Sequence, residues 1–384
     1  MDVSVTVERG GLYVHLPFCP YICPYCDFAK WPIRAREAAD YLRALDAEIE
    51  AAPAFCATTV FFGGGTPNTY PPQTMADLTI RLRRQFLVPD GAEITIELNP
   101  DRPLCQGFDA YRAAGITRLS FGVQSFDEAE LATLGRRHSA ADVSEAVTRA
   151  RNVGFEDVSL DLIFGVPGQT LRSWQATLDA ALVLGPTHVS TYGLTIEAGT
   201  PFATWHAREP AAFAPDTLEA ELYATAIERL GAAGFEHYEI SNFARPGFRS
   251  RHNANYWANG TYLGLGVGAA SYLRGTRTTH TRDLRAYLDA ALSGRPIPGK
   301  SERLRGARRA GEAVMLALRT AEGVELAVFA ERYGIDFLSF YAAPISEMSA
   351  AGLLETDSSH VRLTRPGRFL ADTVSLAFLA LPKT

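Results

Sequence analysis

The first half of the chain alternates between two hydrophobic periods. Short runs rich in apolar and β-branched residues predict six strands, at 12–15, 58–62, 93–98, 118–123, 158–164 and 188–193. Between them, apolar residues recur at helical spacing, in the stretches 41–49, 78–86, 140–153 and 171–184. Alternating strands and helices favour βαβ units on a parallel sheet, and six such units predict an α/β fold with a partial (β/α)6 barrel.

The second half of the chain has a looser pattern. A helix is expected over 218–230 and a strand over 235–240. The stretch 291–299 contains two glycines and two prolines and predicts a linker. This linker separates the barrel and its extension from the remainder of the chain.

The remainder predicts a small module of its own. Helical patterns cover 305–319 and 326–333, and two short strands at 353–355 and 361–363 predict a hairpin. Helices followed by a hairpin indicate a mostly helical, winged-helix-like module. The expected domains are a barrel, a barrel extension and this C-terminal module, at 1–200, 201–298 and 299–384.

Unusual residue clusters follow the predicted strands at their carboxyl ends, where the chemistry of β/α barrels gathers. They are a cysteine loop after the first strand, Gly63-Gly64-Gly65-Thr66-Pro67 after the second, Glu97 and Gln124 at the ends of the third and fourth, Asp161 in the fifth, and Thr195 after the sixth. A barrel would bring these groups, which are scattered along the chain, to one mouth.

The cysteine loop carries the strongest chemical signal. Cys19, Cys23 and Cys26 have the spacing C-x3-C-x2-C, and three thiolates can hold three irons of a cubane [4Fe–4S] cluster. Such clusters normally take four cysteines, so the fourth iron would stay open to a ligand.

A disulfide framework or a zinc site fits these cysteines less well. Disulfide frameworks are typical of small secreted chains with an even cysteine count, whereas this chain has five cysteines in 384 residues. A structural zinc site needs four ligands, and the remaining cysteines, Cys56 and Cys105, stand alone. His15 could supply a fourth zinc ligand, but it lies on the predicted strand that precedes the cysteine loop.

Composition and charge narrow the function classes. The net charge is −6, which does not favour a general binder of nucleic acid or of anionic membranes. The sequence contains no apolar stretch long enough for a membrane span and no export signal. Free cysteines without such a signal predict a cytoplasmic protein.

Polar residues near the glycines are candidates for ligand contacts. Consecutive glycines let the backbone approach a ligand, and Glu97 and Asp161 could accept hydrogen bonds from an amine or from ribose hydroxyls. Asp161 lies in an apolar run, where an unpaired carboxylate is costly. Gln124 and Arg136 are further polar candidates. Two alternatives stay open: Arg136 would equally suit a structural ion pair, and Glu97 would equally suit a surface position at the end of a strand.

The cysteine loop, the glycine turn and these polar positions together resemble the radical S-adenosylmethionine (SAM) superfamily, and more narrowly its oxygen-independent coproporphyrinogen III oxidase family. The resemblance implies that the open iron binds the amino and carboxylate groups of SAM. It also implies contacts to this SAM from Tyr13, Gly64 and Glu97. It further implies an adjoining SAM site lined by Tyr25, Gly65, Thr66, Gln124, Arg136, Asp161 and Thr195. Whether a second SAM binds there stays open.

Two departures separate the chain from that oxidase. Phe28 stands where the oxidase has an additional cysteine. The oxidase also has a substantial N-terminal extension, whereas here few residues precede Tyr13. In addition, His252-Asn253-Ala254-Asn255-Tyr256-Trp257 resembles the H-N-x-x-Y-W segment of the HemW-type haem chaperones. That resemblance implies haem bound by His252, with Asn253 orienting the imidazole and Tyr256 and Trp257 offering flat apolar surface. A core histidine beside packed aromatic residues is the alternative.

The sequence therefore predicts a cytoplasmic haem chaperone that carries a [4Fe–4S] cluster and SAM. Its expected partners are haem and acceptor haemoproteins, such as respiratory enzymes near the membrane, with the C-terminal module as docking surface. The chief alternative is an enzyme, a coproporphyrinogen III dehydrogenase in porphyrin biosynthesis. A radical SAM catalyst with another substrate and a DNA-binding regulator built on the winged helix remain further alternatives.

Overall fold

The computed structural model describes residues 7–379. Strands of the large sheet and its loops are β1 to β14, at Glu8–Leu16, Phe18–Cys19, Trp31–Pro32, Phe55–Gly64, Glu93–Leu98, Arg118–Gln124, Asp157–Phe164, His188–Gly193, Glu236–Glu239, Asn242–Ala244, Tyr262–Leu265, Ala270–Leu273, Thr276–His280 and Gly299–Glu302. A smaller sheet contains β15 to β17, at Val324–Glu325, Leu354–Thr356 and His360–Leu363.

Helices fill the connections between the strands. Helices α1 to α8 are Ala35–Ala51, Pro72–Gln85, Phe108–Ala113, Glu128–Thr133, Ala140–Asn152, Leu171–Val183, Pro201–Arg208 and Asp216–Ala232. Helices α9 to α16 are Arg251–Trp257, Leu284–Leu292, Gly306–Ala317, Leu326–Tyr333, Phe337–Phe340, Ala342–Ala350, Arg365–Phe369 and Ala371–Leu379.

The centre of the molecule is a parallel sheet in the order β1-β4-β5-β6-β7-β8. These six strands are the ones that the hydrophobic pattern predicts, and the partial barrel is confirmed. The sheet continues beyond the prediction on both sides. Strand β11 pairs in parallel with β1 and leads to the antiparallel strands β12, β13 and β14, while β10 and β9 extend the sheet from β8.

Local sequence explains the helices that cover the sheet. Helix α1 buries Tyr41, Leu45 and Ile49 on one face, which is the apolar stripe seen in its sequence. Helix α5 begins at a capping box between Ser139 and Asp142, which satisfies the first free backbone N–H groups of the helix. These features fix where each helix starts and which face it turns to the sheet.

The C-terminal part forms a helical module with its own core. Helices α11 to α16 surround the antiparallel sheet β15-β17-β16, and buried Val314, Phe329, Phe337 and Phe378 pack together. The prediction of helices followed by a hairpin in the C-terminal module is confirmed. The strand β14 pairs with β13 on the large sheet, although its residues fall in the predicted C-terminal domain. The domain boundaries themselves stay predictions.

Helix α9 connects the barrel to this module. At its start, the buried Glu93 carboxylate of β5 accepts hydrogen bonds from the backbone N–H groups of Arg251, at 2.9 Å, and His252, at 3.0 Å. At its end, Arg332 donates to the carbonyl oxygens of Ala258, at 2.7 Å, and Asn259. The helix is therefore held at both ends by charged side chains from different parts of the fold.

Whether a helix can span a bilayer depends on its length and its hydropathy. Within residues 7–379, no helix combines the necessary length with sufficient hydropathy.

Replacing Glu93 by alanine should destabilise the fold, because two helix N–H groups lose a charged acceptor in a buried place. The expected loss is about 2–4 kcal/mol in the free energy of unfolding, measured by urea denaturation. The matched control is Glu50→Ala on the exposed surface of α1. Equal losses in both variants would show that Glu93 does not anchor α9.

Candidate cofactor site

A cavity of about 370 Å³ opens at the carboxyl ends of the parallel strands. This volume is within the range of small-molecule sites. Of the residues predicted from the sequence, twelve line it, namely Cys19, Cys23, Cys26, Tyr25, Gly64, Gly65, Thr66, Glu97, Gln124, Arg136, Asp161 and Thr195. The structure thus brings the scattered clusters to one mouth, while the ligand contacts of each residue stay predictions.

The base of the cysteine loop is tied to the glycine turn. The backbone N–H groups of Gly65 and Thr66 donate to the carbonyl oxygens of Leu16, at 2.8 Å, and Phe18, at 3.0 Å. The short parallel pair β2 and β3 then closes the loop, with Ile33 N–H donating to Cys19 O at 2.9 Å. Both ends of the loop are therefore fixed to the barrel.

Cationic side chains hold the outer part of the loop. Arg136 lies with its Nη1 3.6 Å from Cys23 Sγ, and its Nη2 donates to Asn99 Oδ1 and to Gly122 O, both at 2.7 Å. Lys30 donates to the carbonyl oxygen of Cys26. Burial raises the pKa of the Cys26 thiol, and the charge of Lys30 opposes this rise.

Three cysteine thiols that line one cavity are donors of the kind that an iron–sulfur cluster takes. Within residues 7–379, no group of three or more His, Cys, Asp or Glu side chains is spaced to hold one metal ion. Burial raises the pKa of the Cys19 thiol to about 11, so metal binding there requires the release of a proton.

The glycine turn is required by close packing. Gly64 has φ of +112°, and a Cβ atom there would lie 2.4 Å from the His15 imidazole. At Gly65 a Cβ atom would lie 2.6 Å from the backbone of Pro17. Only glycine lets this turn pass so near the cysteine loop, and it leaves backbone groups facing the cavity.

Two carboxylates face the cavity floor and differ in their hydrogen bonds. Asp161 accepts from Ser190 Oγ at 2.7 Å, from Ser120 Oγ at 2.9 Å and from Ser159 Oγ at 3.4 Å. Among residues 7–379, Glu97 accepts only from the Gly64 N–H, at 3.3 Å. Desolvation, and then the charge of Asp161, raise the pKa of Glu97 to about 8. Glu97 therefore has hydrogen-bonding capacity left for a ligand.

The end of β6 has an unusual backbone. A bulge lies between Gly122 and Gln124, and Gln124 has φ of +68°, a conformation that non-glycine residues adopt rarely. The bulge turns the end of the strand at the cavity wall, where Gln124 is found. Strain of this kind is common at functional sites.

A second, inner cavity of about 190 Å³ lies behind the carboxylates, which line both cavities. Tyr13 lines this inner cavity, and its hydroxyl lies 3.0 Å from His15 Nδ1. Tyr13 thus lies on the inner side of Glu97, whereas the other predicted SAM contacts line the outer cavity.

His252 also lines the inner cavity and is almost fully buried. Its Nδ1 lies 2.8 Å from Thr59 Oγ1 and its Nε2 3.0 Å from the Tyr256 hydroxyl, while its ring stacks on Phe61. Burial lowers the pKa of His252 to about 3, so the imidazole is neutral at physiological pH. A neutral imidazole is the form that ligates haem iron.

The other residues of the H-N-x-x-Y-W segment lie on different sides of α9. Asn253 lines the inner cavity, and the imidazole is oriented by Thr59 and Tyr256 rather than by Asn253. Trp257 faces the C-terminal module, where the Arg319 guanidinium lies 4.7 Å from its ring centroid. The flat surface expected of Trp257 is therefore covered by an arginine in this structure.

Sequence reasoning missed several residues of the site. Ser120 and Ser190 become visible as partners of Asp161 only through the strand register, which pairs Asp161 with Ser190 directly. Thr59 meets His252 across 193 positions of sequence, so no local pattern could have indicated it. Alternate positions on neighbouring predicted strands would have been the only signal for the serines.

Comparison with known proteins extends the resemblance. The model of the Radical SAM superfamily matches residues 13–181, and that of the HemN C-terminal domain matches residues 306–370. The haem chaperone HemW of Bacillus subtilis is 37% identical over 96% of this chain and 98% of its own length. This chain belongs to the HemW family. A further family member, the haem chaperone HemW of Escherichia coli, is 32% identical over 96% of the chain and 98% of its own length.

A solved structure confirms the fold expected of the HemW family. Coproporphyrinogen III oxidase (HemN) from Escherichia coli, a radical SAM enzyme, superposes with a TM-score of 0.85. The match covers 97% of this chain and 90% of that one, at 24% sequence identity. At this identity the likeness establishes the shared architecture of barrel and C-terminal module, and it carries no statement about activity.

The raised pKa of Glu97 predicts a pH dependence of stability. Between the usual pKa of 4.5 and about 8, the folded protein holds a proton on Glu97 that the unfolded chain releases, so this contribution to stability falls as pH rises. Glu97→Gln cannot ionise. Melting temperatures are measured without cluster or SAM. The melting temperature of the variant relative to that of the wild type should rise from pH 5 to pH 8.

The control for this measurement is Glu50→Gln, an exposed substitution on α1. The melting temperature of this variant should follow that of the wild type at pH 5 and at pH 8. A difference between Glu97→Gln and the wild type that is the same at pH 5 and pH 8 would contradict the assignment.

Proposed function

We propose that this protein is a haem chaperone that binds haem and delivers it to acceptor haemoproteins, and that it carries a [4Fe–4S] cluster and SAM. The observation that carries the proposal is the extent of its similarity to proteins named haem chaperone HemW, which covers 96% of the chain in the Bacillus subtilis relative. The similarity includes the barrel, helix α9 and the C-terminal module together.

In this proposal the outer cavity holds the cluster and SAM. Cys19, Cys23 and Cys26 bind three irons, and Arg136 offsets the negative charge beside Cys23. When bound, the cluster supplies an open iron for the amino and carboxylate groups of SAM. Supporting this placement, the glycine turn offers backbone groups and Glu97 keeps a free acceptor in the same cavity.

The proposed SAM contacts fall on both sides of the carboxylates. Tyr13, Gly64 and Glu97 would contact the cluster-bound SAM. The groups proposed around it in the outer cavity are Tyr25, Gly65, Thr66, Gln124, Arg136, Asp161 and Thr195. Haem transfer breaks no porphyrin bond, so the proposed function does not require SAM to be cleaved.

The proposed haem ligand is His252. Its buried, neutral imidazole is oriented by Thr59, which is the kind of second partner that iron-ligating histidines have. The rings of Phe61 and Tyr256 contact it, and Tyr262 packs against Tyr256, so the three rings offer apolar surface near the imidazole.

The C-terminal module is the proposed docking surface for acceptors. Its described helices expose the large apolar side chains Val328, Leu338, Phe340, Leu376 and Leu379, and Leu370 is exposed between α15 and α16. Where such groups form one contiguous patch, they mark a protein contact site.

The alternative of a coproporphyrinogen III dehydrogenase gains no support. The likeness to the oxidase is one of fold, and at the position of that enzyme's additional cysteine this chain has Phe28, whose side chain lines the cavity. A phenyl ring cannot take over the chemistry of a thiol. A role in porphyrin biosynthesis is therefore not proposed.

Cysteine substitutions test the cluster. Alanine at Cys19, Cys23 or Cys26 should abolish the iron–sulfur absorbance after anaerobic reconstitution, because two thiolates do not hold a cubane. Cys105→Ala is the matched control, since Cys105 is a buried thiol that does not line the cavity. Iron content and spectra equal to wild type in all three loop variants would refute the cluster site.

Haem titration of the His252→Ala variant tests whether His252 ligates haem. The variant should bind haem at least tenfold more weakly, because the iron loses its proximal ligand, while the iron–sulfur spectrum stays unchanged. Asn255→Ala on the same helix is the control. A wild-type protein that fails to bind haem would overturn the proposed function, whereas unchanged affinity in His252→Ala would remove only this residue.

A further inference from the structure

An asparagine directly after β5 belongs to a chain of hydrogen bonds that ends at the cysteine loop. The side-chain oxygen of Asn99 accepts from Arg136 Nη2 at 2.7 Å, and Arg136 Nη1 donates to Cys23 Sγ at 3.6 Å. All three residues line the outer cavity. We propose that Asn99 is a positioning residue: it holds the Arg136 guanidinium on Cys23 and thereby raises the reduction potential of the cluster that Cys23 helps to bind.

The inference rests on the [4Fe–4S] cluster of the proposed function and adds to it a residue that does not bind iron. Hydrogen bonds to the ligating sulfurs and the nearby charge are among the factors that set the reduction potential of such a cluster. A cation that donates to a ligating sulfur stabilises the reduced form, because reduction adds negative charge. The position of one guanidinium therefore affects how readily the cluster takes up an electron.

The backbone of Asn99 is fixed by a second asparagine, Asn68, which lies in the turn after the glycine segment and is 4% exposed. The side-chain amide of Asn68 donates to Asn99 O at 2.9 Å and accepts from the Asn99 N–H at 3.0 Å. It also donates to Leu104 O at 3.3 Å. Asn99 thus presents its own side-chain oxygen from a strand end that is tied to the glycine turn.

The two acceptors of Arg136 Nη2 decide how the guanidinium is oriented. Nη2 carries two N–H groups, and it donates to Asn99 Oδ1 and to Gly122 O, both at 2.7 Å. Gly122 lies at the bulge of β6, where the strand register shifts. With Nη2 bound by two acceptors, the planar guanidinium directs Nη1 to Cys23 Sγ.

Both acceptors are neutral, which preserves the charge beside the sulfur. An amide oxygen and a backbone carbonyl hold the guanidinium without cancelling its charge, whereas a carboxylate would form an ion pair with it. The carboxylate of Asp101, two positions after Asn99, accepts from the Tyr21 hydroxyl at 3.1 Å and 3.2 Å. The hydrogen bonds of Arg136 Nη2 therefore leave its positive charge to act on Cys23.

The test is the reduction potential of the reconstituted cluster in the full chain. It is measured anaerobically with dithionite as reductant, by visible absorbance and by the electron paramagnetic resonance of the reduced form. SAM is left out, so that an altered SAM affinity cannot contribute. Iron content reports assembly, and circular dichroism reports folding.

The variants remove the two members of the chain separately and together. They are Asn99→Ala, Arg136→Gln and the double variant Asn99→Ala/Arg136→Gln. A second substitution, Asn99→Asp, keeps an acceptor but pairs the guanidinium with a negative charge. The matched control is Asn255→Ala, which deletes an amide on α9 that donates to Thr261 O.

Asn99→Ala keeps the backbone groups that bind Asn68, so it should fold and assemble a cluster. At a fixed potential, its ratio of reduced to oxidised cluster should fall about tenfold, which for a one-electron couple lowers the reduction potential by about 59 mV. Asn99→Asp should also lower the potential. The double variant should have the potential of Arg136→Gln, because Asn99 acts through Arg136. Asn255→Ala should match the wild type.

Three results would overturn the inference. The first is a wild-type potential in Asn99→Ala and Asn99→Asp, or a failure of both folded variants to assemble a cluster, which would make Asn99 a structural residue; the proposed function would stand. The second is a double variant with a lower potential than Arg136→Gln, since Asn99 would then act independently. The third is a wild-type protein that assembles no cluster, which removes the proposed cluster and this inference together.

Discussion

The parallel register of the central strands is the constraint on which the site depends. Because six strands run in one direction, their carboxyl ends share one edge, and the loops that follow them meet there. The cysteine loop after β1 and the glycine turn after β4 are consequently neighbours, joined by hydrogen bonds from Gly65 to Leu16 and from Thr66 to Phe18. An antiparallel arrangement would place these loops at opposite edges.

Burial of charge is the second feature that organises the interior. Asp161 is surrounded by three serine hydroxyls, which offset the cost of placing a carboxylate inside the barrel. In the part of the chain that the structure describes, Glu97 has a single hydrogen-bond partner, the backbone N–H of Gly64, and its raised pKa reflects the cost of ionising it there. The contrast separates a carboxylate that is structurally satisfied from one that is available to a ligand.

The two cavities share a wall, and the candidate functional residues are divided between them. Glu97 and Asp161 line both cavities, the cysteines line only the outer one, and His252 only the inner one. Helix α9 then leads from the inner cavity to the C-terminal module through Trp257 and Arg319. The proposed cluster site, the proposed haem ligand and the proposed docking surface thus follow one another through the fold.

The sequence by itself determined the six strands and the helical C-terminal module, because hydrophobic periodicity is a local property. Strand-end motifs gave part of the candidate cavity residues, and the family resemblance supplied the others. Only the tertiary structure decided the strands added at both edges of the sheet, the place of Tyr13 on the inner side, and the partners of His252. Thr59 and His252 lie 193 positions apart and meet because β1 pairs with both β4 and β11. Such contacts depend on chain topology, which no local pattern encodes.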